Sequence, residues 1–286
     1  MTKSKKYIVS EVYESFDELL NKVIDDDLPV WDGYKSSVSK ERQDHSWSYG
    51  ANLEDAVEMG LNGWKEGRDN MSDNLELANR STKFERLPDY EYDVAGSMPN
   101  IPLYVAGSPT HMMSSLGNEK SSKKTIEILV NVGASCGTGA DKIMWRGASI
   151  LSLVDKLEDQ GISCELIGCD YAHGGHGAKR YVQFMIKRAG QPMDIDRCAF
   201  ILTHPALLRK ILFRNLEQDI GAQDSYQKHG YGRVRDLPIH MRTGKVYFPS
   251  VNRMMPISIE HGVQMSVDAY EEQANGKDWD GSIIKD

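Results

Sequence analysis

Residues 125–169 carry the feature that most narrows the fold. TIEILVNVG is an apolar run of strand length, and ISCELIGCD, which starts at residue 162, is another. Between them Ile143, Gly147, Ile150, Val154 and Leu157 recur at helical spacing, and Gly161 suits the left-handed residue that ends a helix. Two apolar strands joined by such a helix make a right-handed crossover between parallel neighbours. After YAHGGHGA the run KRYVQFMIKR returns at once, and so short a return makes it an antiparallel partner of the second strand. The expected fold is therefore three-layer α/β: a mostly parallel, Rossmann-like sheet with an antiparallel edge hairpin.

The flanking sequence extends this centre. Residues 1–95 read as a helical N-terminal region packed on an α/β domain of residues 96–286. The region opens with a short strand or arm, then a helix that Ser15 caps, with Glu18 three residues on and Phe16, Leu19, Leu20 and Val23 as its apolar stripe. Asn52 with Asp55 starts a second helix, lined by Leu53, Ala56, Val57, Leu61 and Trp64, and a polar helix is expected over 69–83. Residues 35–50 and 117–124 read as polar loops. The Gly- and Pro-rich stretch before the second of these is expected to be an ordered connection with a short strand at Ile101 to Val105. Asp194 begins a helix to about Thr203, and Pro205 begins another to about Gln218. GKVYFPSV is a further strand, VQMSVDAYEEQA a last helix and WDGSIIKD a frayed tail.

Charge and cysteine content restrict function. With 42 Asp and Glu against 34 Lys and Arg, the net charge of −8 opposes a protein that coats duplex DNA through its overall field. No window approaches the roughly 20 apolar residues of a membrane helix. The N-terminus MTKSKKYIVSEVYESF lacks the apolar segment of a signal peptide, and four cysteines without such a signal indicate reduced thiols. The expectation is a cytoplasmic protein with no membrane partner.

Two resemblances follow. The order of central strand, helix, parallel strand and antiparallel hairpin resembles the opening of the von Willebrand factor A fold, over roughly residues 125–255. In that fold the first strand ends in a metal-binding Asp-x-Ser-x-Ser turn. Here the equivalent turn is Asn131-Val132-Gly133-Ala134-Ser135, of which only Ser135 matches, and FPSVN offers Ser250 and Asn252 where a second acidic group would stand. The segments LNGWKEG, DVAGSMPNIPLYVAGSP, MWRGASILSLVDKLEDQGISCELI and IKRAGQPMDIDRCAFILTHPALLRKILF resemble an uncharacterised family seen in phages and actinobacteria. That likeness implies a phage-type origin and a single integrated domain. It supplies no catalytic residue.

In open α/β sheets ligands gather beyond the carboxyl ends of parallel strands. Chain direction brings two turns to that rim: Asn131, Gly133, Ser135 and Thr138 from one, and Asp170, His173 and His176 from the other. Asn131 and Ser135 supply only neutral oxygens, so no metal is expected there, and no cofactor is expected elsewhere. Cys136, Cys169, His173 and His176 could approach a zinc set, but their spacing follows no ligand signature. Cys136 is also a candidate nucleophile at a helix N-terminus, with His173 or His176 as its base. Lys179, Arg180, Tyr181, Lys187 and Arg188 make a candidate single-stranded nucleic-acid face, although alternation puts Tyr181 and Phe184 on opposite sides. His204 before Pro205 reads as a cap-region residue. With no Gly-x-Ser-x-Gly elbow, Walker loop or HExxH present, no catalytic residue is assigned. The leading expectation is a binding or adaptor protein with a protein partner. The alternatives are a single-stranded nucleic-acid accessory factor in phage replication or transcription, and a Cys- or zinc-dependent hydrolase.

Overall fold

A computed structural model describes residues 7–25, 27, 29, 31, 48–69, 76, 90–115, 125–227 and 230–277. The N-terminal segment forms strand β1 (Ile8–Tyr13) and helix α1 (Phe16–Val23). Ser15 accepts the Glu18 amide in its side chain, and Phe16, Leu19, Leu20 and Val23 are buried, as the spacing predicts. Helix α2 (Leu53–Asn62) starts with the reciprocal Asn52–Asp55 capping box. Its buried side is Ala56 and Gly60, while Leu61 lies exposed, because the helix packs through its small residues. Residues 65–69 are helical; of the polar helix expected over 69–83, only Asp69 and Glu76 are described. Most of the 35–50 loop, the 117–124 loop and the WDGSIIKD tail also lie outside the described residues.

Strands β2 (Tyr90–Asp93), β3 (Met98–Pro99) and β4 (Met112–Ser115) form a small antiparallel sheet in the order β2-β4-β3. Between the last two, Ile101–Val105 is a helical turn, α3, where a strand was expected. The reason is local: Asn100 caps the turn by accepting the Leu103 amide, and Pro102 in the first turn fixes a helical φ.

The main sheet follows the pattern read from residues 125–187. Strand β5 (Thr125–Asn131), helix α4 (Ala140–Asp159) and strand β6 (Ser163–His173) make the crossover, and β7 (Lys179–Lys187) returns antiparallel to β6. Pairing of β5 with β6 is parallel, from Thr125 opposite Ser163 to Asn131 opposite Cys169. Gly161 has a φ of +80° at the end of α4. Then come α5 (Ile195–Thr203), capped by Asp194, and a π-helical stretch, Leu207–Leu212, that continues into α6 (Phe213–Glu217). The short β8 (Arg233–Val234), β9 (Val246–Phe248) and the helix α7 (Ile259–Ala274) complete the fold.

The strand order is β1-β7-β6-β5-β9, with β8 paired to the end of β6. The N-terminal region thus contributes β1 to this sheet, parallel to β7, so the hairpin does not form its outer edge. At the opposite side the Gln273 side chain of α7 takes the place of a neighbouring strand. It accepts the Tyr247 amide at 2.7 Å and donates to the Tyr247 carbonyl at 3.0 Å, which blunts the β9 edge. One face of the sheet, with Ile128, Val130, Leu166 and Phe184, packs under α1, α4 and α5. The other, with Leu129, Ile167, Tyr181 and Tyr247, is covered by Leu237 and Met241.

Candidate functional site

The rim is built from the end of β5 upward. Asn131 is fully buried, and its carboxamide is used in both directions. Its oxygen accepts the Gly133 amide at 3.0 Å, and its nitrogen donates to the Arg235 carbonyl at 2.9 Å and the Tyr247 hydroxyl at 3.3 Å. An aspartate could not make the two donations, which is a physical reason for Asn at this position. Gly133 is needed for close approach: a Cβ there would lie 2.2 Å from Val234 Cγ2 and 2.9 Å from Asp170 Oδ1. Asn131 and Gly133 therefore build the turn from within.

Beyond them the turn is held by a loop from the other side of β5. Asn252 Oδ1 accepts the Ser135 amide at 3.1 Å and the Thr138 hydroxyl at 3.2 Å, while the Ser135 and Thr138 hydroxyls lie 3.0 Å apart. Although Thr138 stands three residues before Asp141, as in a capping box, it is not the helix cap; Gly139 holds that position without a side-chain bond. Beneath the turn, buried Arg146 donates to the carbonyls of Asn131, Phe248 and Pro249, tying the ends of β5 and β9 together. Burial pulls its pKa down to about 10.

A pocket of about 400 Å³ opens at this rim. Ser135 and Cys136 line one side, Asp170 another, and Arg209, Arg233, Arg235 and Asn252 add further polar groups. Buried Arg209 donates to the Thr138 carbonyl at 3.2 Å, fixing the turn to the helix that follows α5. Burial raises the Asp170 carboxyl pKa, opposed by Arg180 at 3.9 Å. The remaining wall is aromatic: Tyr231 stacks on Phe213 with ring centroids 4.2 Å apart and on Trp31 at 6.0 Å, and its hydroxyl donates to Glu217. Its φ of 68° is unusual for a bulky side chain.

A family model described as Domain of unknown function (DUF7192) matches residues 2–270. The chain belongs to the DUF7192 family. No curated protein and no solved structure matches it.

In this DUF7192 chain the predicted rim residues divide. Ser135 and Asp170 meet in the pocket, and Thr138 lines a shallow neighbour that shares Cys136 and Arg209 with it. Among the described residues, His173 and His176 line neither space. For His173 the reason is strand alternation: Asp170 and Ala172 of β6 line the pocket, while His173 stands on the opposite face beside Tyr171, and His176 is exposed at the hairpin tip. The zinc set does not assemble either, since Cys169 is buried beside Tyr181 and Tyr247 with its thiol pKa well raised. Among the described residues no group of three or more His, Cys, Asp or Glu is placed to hold a metal ion. No helix among them is long and apolar enough to cross a membrane.

The basic strand β7 turns much of its charge inward. Arg180 is buried against Glu11, Asp170 and Asn215, and Lys187 is buried against Glu158 and the Cys164 carbonyl. Arg188 is exposed beside Glu14, and Lys179 is half-buried. Tyr181 and Phe184 enter different core clusters, so these residues make no continuous face. His204 ends α5, its Nδ1 accepting the Ala206 amide at 3.0 Å and its ring meeting Trp64 edge-on at 4.5 Å. Burial lowers its pKa to about 4.

Sequence reasoning missed Arg209, Tyr231, Arg233 and Arg235. Arg209 lies among Leu207, Leu208, Ile211 and Leu212, an amphipathic pattern that helix packing alone explains. The signal for the others was GYGRVRD, where two arginines alternate with a valine behind a Gly-Tyr-Gly turn.

Proposed function

We propose that this chain is a phage-type cytoplasmic binding or adaptor protein that engages its partner at the pocket beyond β5 and β6. The observation that carries the reading is the pocket itself. It lies where parallel strands end and connections diverge, and it gathers Ser135, Asp170 and arginine side chains from separate segments. The order β7-β6-β5-β9 supports a von Willebrand A-like scaffold, with Asn131 and Asn252 in place of acidic groups. Binding is favoured over catalysis because the polar groups of the turn are engaged with one another: Asn131, Ser135, Thr138 and Asn252 all hydrogen-bond within the chain. Such a rim presents shape and charge to a partner.

The test is affinity capture from the native host with the wild-type chain and with Ser135→Arg, both checked for fold by circular dichroism. A bulky cation at the pocket wall is expected to abolish capture of the partner. Undiminished capture by a folded Ser135→Arg protein would move the site elsewhere. Salt-dependent retention on single-stranded DNA would favour the nucleic-acid alternative instead.

A further inference from the structure

We infer that the rim pocket takes a small organic anion, its carboxylate or phosphate head against the guanidiniums of Arg233 and Arg235 and its apolar body against Leu208 and Phe213. This rests on the binding reading above and names the chemistry of the occupant. Both arginines line the pocket from alternate positions at β8, and both are exposed. Among the described residues neither guanidinium has a hydrogen bond or an ion pair. A free arginine on an open surface is ordinary, since water solvates it. Two on the wall of one cavity concentrate positive charge where solvent is partly excluded and the attraction for an anion is less screened.

The rest of the chain sharpens this contrast. Its net charge of −8 repels anions generally, so a local pair of free cations marks this spot. The carboxylate lining the pocket, Asp170, sits 3.9 Å from Arg180, which faces it from β7. Arg209, the third arginine of the lining, adds positive charge from the helix side. Guanidinium forks match carboxylate and phosphate oxygens in a bidentate way. Leu208 and Phe213 supply the apolar wall that an inorganic ion would not use, and a pocket of about 400 Å³ has room for a body as well as a head.

The experiment uses the full chain with phenyl phosphate, benzoate, inorganic phosphate and benzyl alcohol, each at the same millimolar concentration. Two readouts are taken: thermal midpoint, and the rate at which iodoacetamide alkylates Cys136. That thiol is exposed and lines the pocket, whereas Cys164, Cys169 and Cys198 are buried. Phenyl phosphate and benzoate are expected to slow alkylation several-fold and raise the midpoint, and benzyl alcohol to do neither. The Arg233→Gln/Arg235→Gln protein is expected to keep its ligand-free midpoint and to lose about 10-fold or more in apparent affinity. Each single variant serves the same purpose should the double one fail to fold. Absence of protection by both aryl anions, or equal protection of wild type and variant, overturns the inference. Inorganic phosphate acting as strongly as phenyl phosphate overturns the organic part of it. If the anions fail while Ser135→Arg still abolishes partner capture, the anion assignment falls and the binding reading stands. If the anions protect Cys136 while Ser135→Arg leaves capture intact, the reverse holds.

Discussion

The side-chain oxygen of Asn252 accepts a hydrogen bond from the Ser135 amide at 3.1 Å, across 117 residues of sequence. That bond joins the loop after β9 to the turn after β5, and the Thr138 hydroxyl shares the same acceptor. Only an acceptor is required at this position. Asn252→Asp should therefore keep wild-type stability, while Asn252→Ala should lose about 1 kcal/mol in urea unfolding. Equal stability of the alanine variant would show that this bond contributes nothing to holding the rim.

Asn131 tests what the turn is for. Its nitrogen donates to the Arg235 carbonyl and the Tyr247 hydroxyl in a fully buried setting. Asn131→Asp replaces that donor with a buried acceptor, at a cost of roughly 2–4 kcal/mol. Magnesium or manganese should not restore the loss, nor should either ion specifically stabilise the wild type. Metal-dependent stabilisation that Ser135→Ala abolishes would mean the turn is a working cation site.

Gly133→Ala probes the contact between the turn and β8. The added methyl meets Val234 Cγ2 at 2.2 Å and the Asn131 and Asp170 side-chain oxygens at 2.9 Å. The substitution should cost about 1–3 kcal/mol and displace β8, altering the rate of Cys136 alkylation as well. An unchanged alkylation rate in a destabilised variant would separate the fold of the turn from the shape of the pocket.

His204 makes stability depend on pH. Its pKa is near 4 in the folded chain against 6.5 ordinarily, so unfolding takes up a proton at any pH between those values. The contribution of the neutral ring is present above 6.5 and is lost as pH falls toward 4, by about 3 kcal/mol in all. His204→Asn keeps an acceptor for the Ala206 amide but does not titrate. The stability difference between wild type and this variant, from urea unfolding at several pH values, should therefore shift by that amount in favour of the variant on acidification. A constant difference would mean that the ring is not buried as a neutral base.

Much of this architecture was legible because periodicity and chain direction decide it. The apolar runs at 125–132 and 162–169 and the helical stripe between them left one crossover, and the Ser15, Asn52 and Asp194 caps are local chemistry. Chain direction also brought Ser135 and Asp170 to one edge. The failures have equally specific causes. Ile101–Val105 looks like a strand by composition, yet Asn100 and Pro102 make it a turn of helix. The Thr138–Asp141 spacing suits a capping box, but Asn252 captures the Thr138 hydroxyl from a distant loop. β1 beside β7 and the pocket wall of Tyr231, Arg233 and Arg235 depend on long-range pairing that no local pattern encodes.

The most direct test of the central claim is amide hydrogen exchange of the intact chain, alone and with its captured partner. The account predicts that binding slows exchange at residues 133–139 and 230–235, the two segments that wall the pocket. Protection confined to residues 90–115, where Val94, Ile101, Tyr104 and Val105 are exposed, with the rim unchanged, would contradict it.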